Sequence, residues 1–354
     1  MDVLKFVLVF SLFLNTGCQL GYYMKSAYNQ LSLLSSREPI EKALKGDKLT
    51  DKEKGKLLLA EKAKVFAEEK LHLTKSKNYS TFAQLDRPYV TYVVSAAPKW
   101  ELKHFIFSYP IVGDMPYKGF FNEKDAVEEE NELKQKNLDT YRRGVSAYST
   151  LGWFNDPVLS SMLTYNDHDL VNTIIHESVH ATLYIKNSAD FNERLAVFLG
   201  NKGTELYYLE TEGNDSKTIK MIKEENEDDL IFSKFISQKI IDLEMWYKNN
   251  KSIDESLRNE QFDKIKAEFK ASVLPSMKTQ SYSKFESASL NNARLLIYKT
   301  YMQDLSDFEK LFEHLGKDYQ KFIEACKKLE KSAKPESDLK DLTATATEPP
   351  STSH

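Results

Sequence analysis

Residues 167–205 read DHDLVNTIIHESVHATLYIKNSADFNERLAVFLGNKGTE, and this stretch decides the predicted fold. No Pro or Gly interrupts residues 167–186, and either Asp167 or Asp169 can cap the start of a helix. Apolar side chains recur at helical spacing and form a stripe that can pack into a core, namely Leu170, Ile174 and Leu183. The pattern therefore predicts a helix that is anchored in a core along one side.

An HExxH motif, HESVH, runs from His176 to His180 within this helix. Residues four apart lie on one helix face, so the two imidazoles can bind a single Zn²⁺ ion. Glu177 lies about 100° further round the helix, where its carboxylate can reach a water on that ion without binding the ion itself. The motif predicts two zinc ligands and a base.

A catalytic zinc ion needs a third protein ligand and keeps one position open. A metzincin extension would place Gly and His where Leu183 and Lys186 stand, so that pattern is excluded. Residues 186–188 (KNS) predict a tight turn between two antiparallel helices. His180 and Glu193 then lie about 8–9 Å from the turn on facing helices, so Glu193 is the predicted third ligand, a gluzincin arrangement. Small residues would let the helices approach closely, namely Ala196, Gly200 and Thr204.

A surface helix with two exposed histidines is the alternative interpretation, because a bare HExxH also arises by composition. Three features favour the zinc site: the regular helix pattern, the reach of Glu193 and an export signal described below. The remaining histidines show no ligand spacing, and we interpret them as surface or core residues: His72, His104, His168, His314 and His354.

The composition is that of an ordinary globular protein, with 354 residues, of which 41% are hydrophobic and 29% charged. The 49 Lys and Arg and 53 Asp and Glu give a net charge of -4, which provides no basic face, so we predict no nucleic-acid partner. The two cysteines, Cys18 and Cys326, exclude a disulfide framework and any Cys-rich metal site.

The first residues, MDVLKFVLVFSLFLNTGC, are typical of an export signal. The apolar run over 6–14 is too short to span a bilayer but fits the core of a signal peptide. The residues before Cys18 resemble a bacterial lipobox, although Asn15 replaces the usual aliphatic residue. We predict a signal peptide over 1–17, lipidation of Cys18 and a location in the cell envelope, anchored to a membrane. Gln19 favours the outer membrane. A plain cleaved signal and a buried N-terminal helix are the alternatives.

The rest of the chain predicts an α+β fold, a zincin-like metallopeptidase core with a small β-sheet and a largely helical C-terminal half. Strand patterns occur near the middle, at 89–95, 102–107 and 115–121. Helix patterns occur at 51–72, at 123–137 and through most of the chain after residue 167. The predicted organisation is an N-terminal anchor or linker over 18–50, a peptidase body over 51–330 and a disordered tail over 331–354.

Several segments resemble the bacterial family named putative aminopeptidases, in the same order over about residues 15–330. They are GCQLGYY (17–23), PIVGDMPYKGFF (110–121), GVSAYSTLGWFNDP (144–157), IIHESVHATLYI (174–185), FNERLAVFLGNKG (191–203) and NNARL (291–295). The resemblance implies an exported, lipoprotein-like zincin. It implies one Zn²⁺ ion bound by His176, His180 and Glu193, with Glu177 as catalytic base and residues 144–157 around the active site.

The predicted reaction is hydrolysis of a peptide substrate by a zinc-bound water that Glu177 activates. A further donor is expected to stabilise the developing oxyanion. Tyr148, in an extended segment beside the cleft, is the first candidate for a catalytic role, with Tyr298 and Tyr301 as rivals. An aminopeptidase also needs groups that hold the free amine, for which Glu205 is one candidate.

Two other functions stay open at this point. The chain could be a catalytically inactive envelope lipoprotein that keeps the zincin fold as a binding module, or a zinc hydrolase that acts on another kind of amide. The intact motif favours the peptidase. The substrate preference, the choice between terminal and internal cleavage, and the oligomeric state are open as well.

Overall fold

The computed structural model describes residues 20–110, 113–250, 254–302 and 304–345. The strands are β1 Glu38–Pro39, β2 Thr81–Ala83, β3 Thr91–Pro98, β4 Phe107–Tyr109, β5 Gly113–Met115, β6 Tyr117–Phe120, β7 Leu138–Val145 and β8 Val158–Leu159. The helices that precede or follow the central strands are α1 over 20–35, α2 Ile40–Lys45, α3 Asp51–Glu69 and α4 Glu123–Gln135.

The C-terminal half is helical, with short 3-10 or π turns at Ser160–Thr164, Phe269–Val273 and Leu274–Ser276. Its helices are α5 Asp167–Thr182, α6 Ala189–Glu212, α7 Lys217–Asn249, α8 Glu255–Glu268, α9 Asn292–Tyr301, α10 Ser306–His314, α11 Tyr319–Lys327 and α12 Pro335–Thr345. The fold is therefore mixed α+β with small sheets and a helical C-terminal half, as the sequence predicts.

The sheet that borders the site has the antiparallel order β6–β3–β7. Side chains alternate between its two faces. Val94 and Phe120 lie on the face that α4 covers, where they form a small core. Val93 and Arg143, which are paired across β3 and β7, lie on the other face and line a cleft. The strand predicted at 102–107 is shorter and later than expected, because only Phe107–Tyr109 is extended and paired.

Helices α5 and α6 form an antiparallel pair that is packed very closely. Asn172 donates to Asn201 Oδ1 at 2.9 Å at one end of the pair, and Asn192 contacts Ile185 at the other. A Cβ added at Gly200 would lie 3.1 Å from Asn172 Oδ1, and one at Gly203 only 2.5 Å from Leu71 Cδ1. Small residues on α6 are therefore what allows α5 and α3 to come this near, as predicted from the sequence.

Two large hydrophobic cores hold the helices. The first gathers α3, α5 and α6 with the C-terminal helices α10 and α11, and it includes the fully buried Phe308 and Phe322. The second lies between α7, α8 and α9, around Phe232 and Phe269. The N-terminal end of α9 also contacts the central sheet, so both cores support the region where β7, α5 and α6 meet.

The chain ends differ from the predictions. The anchor or linker expected over 18–50 is folded onto the body from residue 20, with Leu33 and Ile40 buried in the first core. The predicted signal peptide and Cys18 lie outside the described residues. The tail expected from residue 331 begins with α12, whose Leu339 is fully buried, so disorder is wrong for 335–345. Leu339 and Leu342 pack against the first core, and Glu336 forms an ion pair with Arg194, so the segment is held to the body despite its polar composition.

No helix in the described ranges combines the length and apolar character that a bilayer-spanning segment needs.

Candidate active site

Helix α5 presents the HExxH residues because its opposite side is buried. Four apolar side chains on that side have at most 1% exposure: Leu170, Ile174, Ile175 and Val179. The N-cap residue is Asn166, so the prediction that Asp167 or Asp169 caps the helix is wrong. Both acids lie instead in the first turn, where negative charge is favourable to the helix dipole. His176, Glu177 and His180 are thereby held on a rigid element.

The connection from α5 to α6 is closed by Asn192. The side chain of this buried residue accepts from the Ile185 amide at 2.9 Å and donates to the Ile185 carbonyl at 2.8 Å. Asn187 takes a left-handed conformation, with φ 62°, at the turn itself. The turn lies where it was predicted, although α5 already ends at Thr182. Because Asn192 immediately precedes Glu193, this clamp fixes the rotation of α6 at the candidate ligand.

Arg194 anchors the other side of Glu193. Its guanidinium donates to the Asp304 carbonyl at 2.6 Å and forms ion pairs with Asp307 and Glu336. The sequence analysis missed both neighbours of Glu193. The sequence contained one signal for them, the three consecutive polar residues NER at 192–194. An amphipathic helix would need a polar residue at only one of these positions. Glu193 therefore lies between two residues that are held in place by hydrogen bonds and ion pairs. This restricts the orientation of its side chain, as is usual for a metal ligand.

His176, His180 and Glu193 converge on one point. The two Nε2 atoms are 3.2 Å apart, Glu193 Oε2 is 3.4 Å from His176 Nε2, and Glu193 Oε1 is 3.8 Å from His180 Nε2. Ligand atoms about 2.0–2.2 Å from a tetrahedral zinc ion lie about 3.3–3.6 Å from one another. The three distances are close to this spacing, with the two Glu193 distances measured to different carboxylate oxygens, and the three side chains form a group that could hold a metal ion.

The electrostatic environment where these three side chains meet is also suited to a cation. Burial acts to raise the pKa of Glu193, but the imidazoles of His180 and His176 outweigh it and hold this pKa well below its usual value. Glu193 Oε2 is buried and accepts no hydrogen bond from the described residues. A buried carboxylate oxygen without a donor is costly, and a metal ion would satisfy it.

Glu177 has a different environment from Glu193. Burial raises its pKa to about 7, although His176 acts in the opposite direction. Its neighbour on the chain is a candidate ligand, yet Glu177 does not belong to the group that could hold the ion. This is the arrangement that the motif predicts for a base beside a metal.

A cleft of about 640 Å³ opens over these residues. One side is the sheet, including Val93 and Val145, and α1 contributes Tyr22 and Gln30. The segment after β7 also lines it, as the sequence resemblance implies for residues 144–157. This segment is not a strand beyond Val145.

Two of the three candidate tyrosines line the cleft, and the third lies elsewhere. Tyr148 lines the cleft, and its hydroxyl donates to Gln30 Oε1 on α1. Tyr301 also lines the cleft, where it lies in the electrostatic field of Glu193 and Glu177. Tyr298 packs instead against Phe232 in the second core. The catalytic role of Tyr148 stays a prediction, and Tyr301 is the candidate whose surroundings tie it to the predicted ligands.

Other predicted residues lie elsewhere. Glu205 stands about 18 Å along α6 from Glu193, beside Tyr319, and does not line the cleft. Asn291 is the N-cap of α9 and accepts from the Arg294 amide at 2.9 Å, which is a structural role. Cleft residues that the sequence analysis did not single out include Tyr117, Tyr184 and Arg143.

Comparison with known proteins agrees with the resemblance. A family model with the description Putative aminopeptidase matches residues 21–340. The chain belongs to this family. No curated protein and no solved structure gives a significant match. In this member of the Putative aminopeptidase family, the matched region includes α5, α6, the sheet and α9, and hence every described residue of the site.

Proposed function

We propose that this member of the Putative aminopeptidase family is a zinc-dependent peptidase, in which α5 and α6 form the centre of a zincin-like core. The observation that carries the proposal is the triangle of side chains formed by His176, His180 and Glu193, in which the two Nε2 atoms are 3.2 Å apart and lie 3.4 and 3.8 Å from the Glu193 carboxylate oxygens Oε2 and Oε1. Two imidazoles and a carboxylate are a common ligand set for catalytic zinc. Membership of the family supports the choice of a peptide as substrate.

The residues around the triangle have complementary roles in this proposal. A zinc ion bound there would polarise a carbonyl oxygen and make water more acidic. Glu177 can accept a proton at its carboxylate from a water beside the scissile carbonyl and return it to the leaving amine. Tyr301, and Tyr148 if it leaves Gln30, can donate a hydrogen bond to the carbonyl oxygen as it gains charge.

The test combines metal analysis with peptide hydrolysis. We expect the purified protein to contain one zinc ion per chain and to cleave members of a panel of aminoacyl and internally quenched peptides. Glu177→Gln should keep the zinc and lose about 10²- to 10⁴-fold in kcat/KM. Asp169→Asn, a charge change on the same helix, is the matched control and should keep full activity. Equal hydrolysis by the wild-type protein and Glu177→Gln would refute the proposal.

A non-catalytic envelope protein is the second candidate. It predicts the same metal content but no hydrolysis that depends on Glu177. The complete set of ligands and base, all placed in one cleft, favours the enzyme over this alternative.

We further propose that Cys18 carries a lipid that holds the protein at a membrane of the cell envelope. The lipobox-like sequence before Cys18 is the main support. Helix α1 follows directly, and one side of it presents apolar residues that are at least 60% exposed, Leu20, Met24, Tyr28 and Leu31. Such a face suits the interfacial region of a bilayer.

Cys18→Ser should move the protein from the membrane fraction to the soluble fraction, whereas Cys326→Ala should not. Unchanged membrane association of Cys18→Ser would contradict the anchor.

A further inference from the structure

Arg143 is a positively charged cleft residue for which no cleft carboxylate is left as a partner. Apart from the two imidazoles, the charged side chains among the described cleft residues are Glu177, Glu193 and Arg143. In the proposed function both carboxylates are already engaged, one as base and one as ligand. A peptidase that holds a free amine needs a further carboxylate or carbonyls, whereas the remaining charged group here is a cation.

The guanidinium of Arg143 keeps most of its hydrogen-bonding capacity. Its Nη2 donates to the Tyr301 hydroxyl at 3.4 Å, and its Cζ lies 5.5 Å from the centre of the Tyr301 ring. Its Nε is buried and has no hydrogen-bond partner. No carboxylate of the described residues forms an ion pair with it. Arg87 and Arg258 also have a buried Nε without a partner, but each forms an ion pair with an aspartate, so among these three only Arg143 lacks a carboxylate partner in the described chain. A carboxylate on a bound substrate would satisfy its donors.

Arg142, the neighbouring residue, shows what the chain does with a structural arginine. It lies on the opposite face of β7, where its Nη1 donates to Glu123 Oε1 at 2.6 Å and its Nε to Glu130 Oε2 at 2.9 Å. The two arginines differ only in the face of the sheet on which they lie. The one over α4 is matched by two acids, and the one in the cleft is matched by none.

Arg143 is close to the candidate metal ligands through Tyr301. Burial is the main cause that raises the pKa of Tyr301; the Glu193 carboxylate adds to this rise and the Arg143 guanidinium opposes it. Arg143, Glu193, Tyr117 and Tyr301 all line the same cleft, so a substrate bound at the candidate metal ligands would extend past Arg143.

We propose that Arg143 binds a carboxylate of the substrate, so that the preferred substrates are peptides with a free carboxylate near the bond that is cleaved. This inference rests on the proposed peptidase function and specifies its substrate class. The planar fork of a guanidinium matches a carboxylate in two parallel, charge-assisted hydrogen bonds. The carboxylate is either the C-terminal group of the peptide or an acidic side chain, since both offer the same chemistry.

The first experiment varies the ends of one short apolar peptide. It is assayed with both ends free, with an acetylated amine, with an amidated C-terminus and with both ends blocked. We expect kcat/KM to fall about 100-fold on amidation and little on acetylation. Amidated peptides that differ only in Glu or Gln beside the cleaved bond form the second arm. A preference for Glu in that arm alone assigns the carboxylate to a side chain instead of the terminus.

The second experiment changes the arginines. Arg143→Met should remove the preference for the carboxylate, with a loss of about 100-fold for the free acid and little for the amide. Arg143→Lys should keep part of the preference, because it keeps the charge but loses the fork. Arg142→Met is the matched control and should retain the full preference. If Arg143→Met does not fold, the wild-type protein still provides a test, because 3-phenylpropionate should compete with substrate far better than 3-phenylpropionamide.

The outcomes separate this inference from the proposed function. Calorimetric binding of the free-acid and amidated peptides to the Glu177→Gln protein reports carboxylate binding without turnover. Hydrolysis that depends on Glu177 but is equal for acid and amide, and equal for the Glu and Gln peptides, would overturn the role of Arg143 and leave the peptidase intact. Conversely, Arg143-dependent binding of the acid without hydrolysis would overturn the peptidase and leave a carboxylate site.

Discussion

Asp139 and Glu193 are both buried carboxylates, but the chain surrounds them differently. Asp139 accepts three hydrogen bonds, from Arg258 Nη1 at 2.7 Å, from Arg258 Nη2 at 3.0 Å and from the Asn292 amide at 2.9 Å. Glu193 faces two imidazole nitrogens at 3.4 and 3.8 Å, and its Oε2 accepts no hydrogen bond from the described chain. One acid is satisfied by protein donors, and the other is not.

The difference separates a charge with a structural role from a charge that the proposed function uses. Asp139 joins β7 to α8 and α9, so its ion pair with Arg258 ties the sheet to the second core. A buried ion pair of this kind, with two hydrogen bonds between its partners, helps to specify how elements pack, and removing one partner leaves an uncompensated charge. Glu193 has two anchored neighbours but an open carboxylate oxygen. The protein fixes its position and leaves its bonding to another group.

The largest expected effect comes from neutralising Glu193. Glu193→Gln keeps the shape of the side chain but loses the charge that would bind the ion, so zinc content should drop and kcat/KM should fall by about four orders of magnitude. The melting temperature of the metal-free protein should change little. Glu205→Gln, on the same helix outside the cleft, should alter neither quantity. Full zinc occupancy in Glu193→Gln would show that the two carboxylates do not differ in this way.

The next effect is on stability. Asp139→Ala leaves Arg258 buried without its partner, so urea denaturation should show a loss of about 3–5 kcal/mol in the free energy of unfolding. Zinc content and kcat/KM per folded molecule should stay close to the wild-type values. Glu255→Gln removes the exposed partner of Lys99 on the same helix as Arg258 and should have no measurable effect. A large loss of activity in folded Asp139→Ala would place this ion pair in the site.

The convergence of His176, His180 and Glu193 could be predicted because it depends on local geometry. The spacing of His176 and His180 fixes their common helix face, and the position of Glu193 follows from a short turn and the helix rise. The α+β class and the close α5–α6 packing follow from patterns of the same local kind. These features need no knowledge of which distant segments meet.

Arg143 could not be chosen from the sequence, because Arg142 and Arg143 look alike until the pairing of β7 with β3 assigns them to opposite faces. Tyr301 reaches the site only through the packing of α9, which the sequence does not specify. The order in residues 335–345 depends on a buried site for Leu339, and their polar composition conceals it.

A smaller effect should distinguish the two candidate tyrosines that line the cleft, Tyr148 and Tyr301. Tyr301 lies in the field of Glu193 and Glu177, whereas the Tyr148 hydroxyl donates to Gln30. If Tyr301 stabilises the developing oxyanion, Tyr301→Phe should lower kcat about 100-fold with little change in KM, and Tyr148→Phe should change kcat less than about threefold. The reverse ranking would transfer the role to Tyr148, as the sequence analysis first suggested.

The smallest effect concerns Asp156. The degree to which protein donors satisfy this buried carboxylate lies between that of Asp139 and that of Glu193. Burial raises its pKa to about 6, although hydrogen bonds from the Thr150 amide and hydroxyl act in the opposite direction. The folded state thus holds a proton that the unfolded state releases near its ordinary value, 3.8. Its stabilising contribution is complete at low pH and is lost as the pH rises through about 6.

The free energy of unfolding of the wild type minus that of Asp156→Asn should therefore fall by about 1–2 kcal/mol between about pH 4 and pH 7 in urea titrations. A difference that stays constant or rises with pH would mean that the Thr150 donors satisfy this acid as fully as Arg258 satisfies Asp139.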